Sequence, residues 1–592
     1  MLIAWSVVVI MSLVFMISMA ASMGEATTTH VAQNSVLKIN LNSVITDRKT
    51  DNPMDWLLRG GSSSIETVGL NELLKAIEKA KSNDHIKGIY LFAGQTMTGY
   101  ASMEPIRKAL LDFKKSGKFI IAYGENFNHR SYYASSVADS VFMNPQGTMD
   151  FRGLASSIQF NKAVLEKWGI EMQVYKVGTY KSAVEPYIQD KMSDANREQV
   201  TAFLNDIWGT LLAGISESRG ISEKQLNQYA DECMTFAAPE KLIEYRLIDG
   251  LRYSDEVQAC LKAKAGIKVD DKLALVSVKE MKSLPNEKKT SEKEKIAVLY
   301  AEGEIVGDAV PSFYSSGIIT AKEMVKELNR LKDNDDVKAV VFRVNSPGGS
   351  GYASEQIWHA VETLRAKKPV VVSMGDYAAS GGYYIACGAN KIVAEPSTLT
   401  GSIGVFGLIP NGAVLAKKMG ATFDGVSTNK YSSFGSSMLS IPLLGIGLLP
   451  ARPLNSEEGA MVQAHVERFY DTFLTRVSEG RHTTKEKIDA IGQGRVWTGQ
   501  QALNLGLVDI LGGVDVAIQT AAKLANVEKY AVSEYPAAKE FWMSLLNETT
   551  ESVSDRIAKA FIGKEACDQK RLLKLWQSYD YRQAILPESV MQ

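Results

Sequence analysis

The chain holds 592 residues, with 66 Lys+Arg against 67 Asp+Glu for a formal net charge of -1; 45% of it is hydrophobic and 22% charged. That balance supplies sizeable apolar cores and excludes a disordered chain or a polytopic membrane protein, and 46 Gly with 16 Pro exclude collagen-like and low-complexity classes. A pI near 6.7 leaves no electrostatic footprint for nucleic acid, and four scattered cysteines (Cys233, Cys260, Cys387, Cys567) exclude a disulfide scaffold and a cysteine zinc site.

The first element is apolar. Residues 1–24 carry no charge, and Leu2 to Met19 is almost wholly hydrophobic. About 22 residues at 1.5 Å each reach roughly 33 Å, one bilayer crossing. The reading is one uncleaved transmembrane signal-anchor over 1–24, with lipid as its partner. A signal peptide cleaved near Ser22-Met23-Gly24 is the alternative.

Beyond the apolar segment the chain is written twice. Asn83-Asp84 with Ile86-Lys87-Gly88-Ile89 returns as Asn334-Asp335 with Val337-Lys338-Ala339-Val340, an offset of 251 that recurs at Tyr132-Tyr133 and Tyr383-Tyr384 and at Pro145 and Pro396. Late in each half, Leu247-Ile248-Asp249 matches Leu507-Val508-Asp509 at an offset of 260, so about nine residues are added in the second copy between these points. A unit this long is a duplicated domain rather than a solenoid repeat. The organisation expected is a first copy over 35–275, a charged linker over 276–295, a second copy over 296–535 and a tail over 536–592. In the second copy, Lys295 to Tyr300, Ala339 to Val344 and Pro369 to Met374 read as strands, the last two buried on both faces. Ala321 to Leu331 and Ala353 to Leu364 read as helices between them. Strand-helix-strand at this spacing makes each copy α/β.

Candidate chemistry sits where those strands end. Val344-Asn345-Ser346-Pro347-Gly348-Gly349-Ser350 is a tight turn between strand and helix that can present backbone N–H groups to an oxyanion. The next strand runs into Ala378-Ala379-Ser380-Gly381-Gly382, a serine directly before a glycine pair that opens a helix. Ser380 is then either a nucleophile or a helix N-cap. Of six histidines (30, 85, 129, 359, 465, 482), none occupies a strand end that a triad would favour. A lysine desolvated by burial is the other kind of base, and Lys181, in Gly178-Thr179-Tyr180-Lys181-Ser182, follows a strand in a turn of small residues.

The two copies divide these features. At offset 251, Ser380 corresponds to His129, Gly381 to Arg130 and Asn345-Ser346 to Gly94-Gln95, while Lys181 corresponds to Ser432. Each copy keeps a different half, which points to one site spanning both.

At these residues the chain resembles the signal peptide peptidase A (protease IV) family in its long two-domain form: RVNSPGGS (Arg343 to Ser350), AASGGYY (Ala378 to Tyr384), TGSIGVFG (Thr400 to Gly407) and GTYKSAVEP (Gly178 to Pro186). The resemblance implies an α/β fold of tandem ClpP/crotonase-like domains behind one transmembrane helix. It implies a serine endopeptidase with Ser380 as nucleophile, Lys181 as general base and Ser402 orienting the lysine. The N–H groups of Gly349 (beside Gly348) and Gly381 would receive the oxyanion. It implies no metal or cofactor, hydrophobic signal-peptide fragments as substrate, a homotetramer, and a single-pass protein of the inner membrane with its catalytic domains outside the cytoplasm. Two rival readings are a crotonase-like acyl-CoA enzyme using Asp376 and Glu355, and an inactive membrane scaffold. Two stretches stay open. Leu439 to Leu449 is uncharged, too short to span a bilayer, and suits either a membrane-dipping loop or an oligomer contact. Phe541 to Trp576 mixes basic and apolar residues at helical spacing, as in a surface helix or partner contact.

Overall fold

The computed structural model describes residues 31–49, 66–284, 292–307, 317–441, 446–536 and 583–585. The expected span over 1–24 and the helical stretch Phe541 to Trp576 lie outside these. Among the described residues no helix is long and apolar enough to cross a membrane.

Each copy is built on a parallel sheet. In the first, Gly250–Leu251, Ser140–Met149, Phe119–Phe127, Ile86–Phe92, Ser35–Asn40 and Leu275–Ser277 lie side by side in that order. In the second, Val370–Ala379, Val337–Ser346, Lys295–Glu302 and Ala531–Tyr535 repeat the central arrangement. The central strands are near-continuous apolar runs because helices cover both faces. Val337–Ser346, for example, buries every residue but Lys338 and Asn345 to near-zero exposure.

The helices are amphipathic at the spacing their sequences predict. Ala321–Asp333 buries Ala321, Met324, Leu328 and Leu331, and Thr320 caps it by accepting from the Glu323 N–H. Gly351–Arg365 and Val370–Ala379 extend the predicted helix and strand by a few residues.

One segment folds beyond the boundary read from sequence. The charged stretch after residue 275 begins as structure: strand Leu275–Ser277 and helix Val278–Ser283 join the first copy, with Met281 fully buried on it. Charge masked a short edge element held by Val276 and Met281. Ala531–Tyr535, at the expected end of the second copy, pairs with Lys295–Glu302 as Leu275–Ser277 pairs with Ser35–Asn40.

A third sheet joins the copies. Its order is Ile318–Thr320, Glu304–Val306, Gly348–Ser350, Gln583–Ile585, Val405–Asn411, Glu171–Val177. Val405–Asn411 of the second copy pairs antiparallel with Glu171–Val177 of the first over seven residues, from Val405↔Val177 to Asn411↔Glu171. The apolar interior is shared as well, since Ala379, Leu399 and Val496 pack into the first copy's core. The added residues of the second copy lie around an antiparallel hairpin, Met438–Ile441 with Ile446–Pro450. Its Leu439 is buried against Ala416, and Leu449 packs on the same cluster.

Candidate active site

The seven-residue ladder between the copies delivers Lys181 to the second copy. After Val177 the chain turns at Gly178 (φ +107), where a Cβ would lie 2.5 Å from the Gln493 carbonyl oxygen. The Tyr180 N–H donates to that same carbonyl at 2.8 Å. Gly494 lies under the lysine, and a Cβ there would come within 2.6 Å of the Lys181 Cβ. Glycines on both sides therefore let the lysine turn press against the 493–495 loop.

Lys181 is 1% exposed and Ser380 is fully buried. The Lys181 Nζ lies 2.6 Å from Ser380 Oγ, 3.1 Å from Ser402 Oγ and 3.3 Å from the Ser402 carbonyl oxygen. Among the described residues no carboxylate forms an ion pair with it, so burial acts on the ammonium alone and pulls its pKa down to about 7. A substantial fraction is then neutral at neutral pH and can accept a proton.

Ser380 occupies the cap position of helix Gly381–Ala386 yet makes no capping bond. Its backbone is strained, with φ +55 and ψ -116, and its N–H donates to the Gly401 carbonyl at 2.8 Å. Cap geometry is thus turned to presenting the hydroxyl to the lysine. Ser402 is also at positive φ (+48), and its N–H donates to the Arg495 carbonyl at 2.7 Å. The Gly401-Ser402 turn therefore holds both the backbone of Ser380 and the amine of Lys181.

The Gly348-Gly349 turn stands beside this pair as a strand of the joining sheet. Gly349 has φ +147, and a Cβ there would fall 1.9 Å from the Ile305 carbonyl oxygen, which excludes any other residue. The Gly348 N–H donates to Ser346 Oγ at 3.2 Å and is therefore occupied, unlike a free oxyanion donor. The tail returns to this turn: Gln583–Ile585 pairs antiparallel with Ser350, Gly349 and Gly348, and Gln583 also pairs with Phe406.

The structure adds long-range contacts that sequence did not single out. Arg343, inside the buried strand, donates through Nε (3.1 Å) and Nη2 (2.7 Å) to Asp47 Oδ1 of the first copy, and through Nη1 to Ser373 Oγ (3.0 Å). Asp376 accepts from the Ser102 N–H (2.8 Å), the Ser102 hydroxyl (2.7 Å) and the Gly99 N–H (3.1 Å). Both clamps tie strands that lead to Gly348 and Ser380 onto the copy that carries Lys181. An arginine within Val340-Val341-Phe342-Arg343-Val344 was the available signal, because a buried charge needs a partner. The partner itself had no local sign.

Asp376 and Glu355, the carboxylates of the acyl-CoA reading, are engaged elsewhere. Asp376 is held by Ser102 and Gly99, and Glu355 pairs with Arg476 at 2.7 Å and accepts from the Tyr384 hydroxyl. His129, at the position matching Ser380, lies 4.0 Å from Asp150 and meets no serine or lysine of the pair. Among the described residues no group of His, Cys, Asp and Glu could hold a metal ion.

The profile of Peptidase family S49 matches residues 112–268 and again 362–528, and that of Clp protease matches 315–398. Protease 4 of Salmonella typhi is 35% identical over 552 residues, covering 91% of this chain and 86% of that protein. The chloroplastic serine protease SPPA of Arabidopsis thaliana is 33% identical over 512 residues, covering 86% of this chain and 72% of that protein. Protease 4 of Haemophilus influenzae is 31% identical over 581 residues, covering 93% and 89%. Among solved structures, a ClpP1 mutant from Listeria monocytogenes aligns at TM-score 0.23 and 14% identity, over 37% of this chain and 94% of that one.

Proposed function

The chain belongs to Peptidase family S49, in the long form with two copies of the domain, and is a serine protease; from that premise we propose that it cleaves peptides with a Ser380–Lys181 dyad shared between the copies. The observation that carries the dyad is the 2.6 Å contact between a buried Lys181 amine and the Ser380 hydroxyl. Neutral Lys181 takes the Ser380 proton as Oγ attacks the peptide carbonyl. The N–H groups of Gly349 and Gly381 receive the tetrahedral oxyanion. Lys181 then gives its proton to the departing amine and activates water to release the acyl group. Ser402 orients the amine throughout, through its hydroxyl and its carbonyl.

Peptide would enter as a strand between Gly348–Ser350 and Val405–Asn411. Support comes from Gln583–Ile585, which pairs with both edges in that manner. The favoured substrates are hydrophobic, such as signal-peptide fragments. The same reading has the copies bounded near 35–275 and 296–535, an anchor at 1–24 holding the enzyme in the inner membrane with its domains on the extracytoplasmic side, and a homotetrameric assembly.

The test is hydrolysis of a hydrophobic peptide by the full chain and by its Ser380→Ala and Lys181→Ala variants. Loss of turnover in both, with the folded state retained, is expected. Turnover surviving Ser380→Ala would reject the assignment.

A further inference from the structure

The first copy has lost the serine and the glycine loop, yet the matching crevice has not closed. A cavity of about 100 Å³ remains there, between the copies. At offset 251 its lining residues Gly99, Arg130 and Leu154 correspond to Ser350, Gly381 and Val405, residues of the oxyanion turn, the helix opening and the substrate edge. Where the second copy offers a backbone N–H, the first offers a guanidinium.

That guanidinium lacks an anion. Arg130 is half-buried and stacks on Tyr100, its Cζ 4.4 Å from the ring centre. Its Nε is shielded from solvent and has no hydrogen-bond partner, and the same holds for the hydroxyl of Ser156, which also lines the cavity. The nearby Asp150 pairs with Arg152 at 2.7 Å. Asp376, the carboxylate on the cavity wall, has both oxygens occupied by Ser102 and Gly99. Leu154, Phe203, Ile207 and Leu399 supply apolar lining. A shielded N–H donor without a partner is costly, and a planar fork of donors matches a carboxylate.

We propose that this crevice binds a small apolar carboxylate: the acid group on Arg130 and Ser156, the hydrocarbon part against Leu154, Phe203 and Ile207. A volume of about 100 Å³ seats the carboxyl end and a few carbons of such an acid, with the rest left in the open mouth of the crevice. Two sources share this chemistry, the new C-terminus of an apolar peptide product and a short fatty acid. Asp376 and Tyr377 of the wall stand four and three residues before Ser380 on the strand that leads to it, so an occupant touches the strand that carries that serine. A product carboxylate would make this feedback. That role rests on the peptidase reading, whereas the binding does not.

The test is calorimetric titration of the full-length Ser380→Ala protein, with N-acetyl-leucine, hexanoate and N-acetyl-leucinamide as probes. Saturable binding of one acid per chain is expected, at least about tenfold weaker for the amide and for either acid in the added Arg130→Gln variant, since a charged hydrogen-bond pair is lost. Arg130→Lys should recover part of it. Preference for N-acetyl-leucine names the peptide source and preference for hexanoate the lipid source. Equal binding of acid and amide, or binding unchanged by Arg130→Gln, would overturn the site. So would no binding at all, which would mean water alone serves these polar atoms. If Arg130→Gln does not fold, the acid-against-amide comparison and Ser156→Ala decide. Acid binding in a chain that proves to have no Ser380-dependent turnover would leave the site standing and remove only the feedback.

Discussion

Replacing Lys181 by Met tests whether a buried amine without a carboxylate partner is the base. In the folded chain its pKa falls from 10.5 to about 7, with burial as the cause. At 1.36 kcal/mol per pH unit, that difference costs the folded state about 5 kcal/mol when the unfolded lysine is fully protonated. The sign comes from proton counts. Between about pH 7 and 10.5 the unfolded chain holds this proton and the folded chain does not, so stability rises with pH across that window. Below about 7 both forms hold it and the cost stays constant; above about 10.5 it is gone. Met keeps the volume and removes the charge, but abandons the contacts to Ser380 and Ser402, worth about 1 kcal/mol each. Lys181→Met should therefore be inactive yet more stable than the parent by about 2 to 3 kcal/mol at pH 7. That gain should vanish or reverse near pH 10. Urea unfolding of both proteins from pH 6 to 10 measures the difference, in which other titrations cancel. In the parent, kcat/KM should climb about tenfold per pH unit below 7 and level off by about pH 8 to 9. A stability difference that stays flat across pH 7 to 10, or a rate already at its plateau at pH 6, would refute the argument.

Ser402→Ala removes one acceptor of the ammonium, so kcat should fall by about ten- to a hundredfold and the acid limb of the pH profile should move downward; an unmoved limb would mean that Ser402 does not touch the base. Arg343→Met leaves the Asp47 carboxylate buried without its cation and should destabilise by about 3 to 5 kcal/mol, read as a lowered urea midpoint, whereas the double variant with Asp47→Leu should recover much of that loss. Ending the chain before Gln583 frees the edge of Gly348–Ser350, so KM for a short peptide should drop while kcat holds; an unchanged KM would show that the tail does not compete for that edge in solution.

Much of the fold could be read because its signals are local. Val337–Ser346 is buried on both faces and therefore continuously apolar, and the glycines of the next turn are demanded by backbone geometry at positions such as Gly349. Lys181 and Ser380, the pair proposed as the dyad, stand out through the repeat, since each departs from its counterpart at one offset. Long-range partners left no such trace. Asp47 and Arg343 are 296 residues apart, and Ser102 and Asp376 are 274 apart. Nothing near Ser102 marks it as the donor that a buried carboxylate in another copy requires. Ser402 lay between: the positive φ of a non-glycine residue after Gly401 cannot be seen in the letters Gly-Ser-Ile-Gly, and its role came only through resemblance. Met281 was hidden by the lysines and glutamates around it, because so few apolar residues carry no periodicity.

The proposed division of the site requires copies that are joined this heavily. A lysine on one domain and a serine on another react only if held to a few tenths of an ångström, and a flexible linker cannot do that. Three kinds of contact supply the precision. The seven-residue ladder ends at Val177, short of Lys181, and alone would leave the lysine turn loose. The glycine-lined seat at 493–494 fixes that turn from below. The clamps from Arg343 and Asp376 fix the strands on the other side. Those clamps are polar and buried, so they are directional: a slipped register leaves carboxylates unpaired in the interior, at a cost of several kcal/mol each. Apolar packing by Ala379, Leu399 and Val496 into the first core adds strength without that selectivity. A dyad divided between the copies, as proposed, needs an interface as well determined as a single domain's interior, and these three contacts supply one.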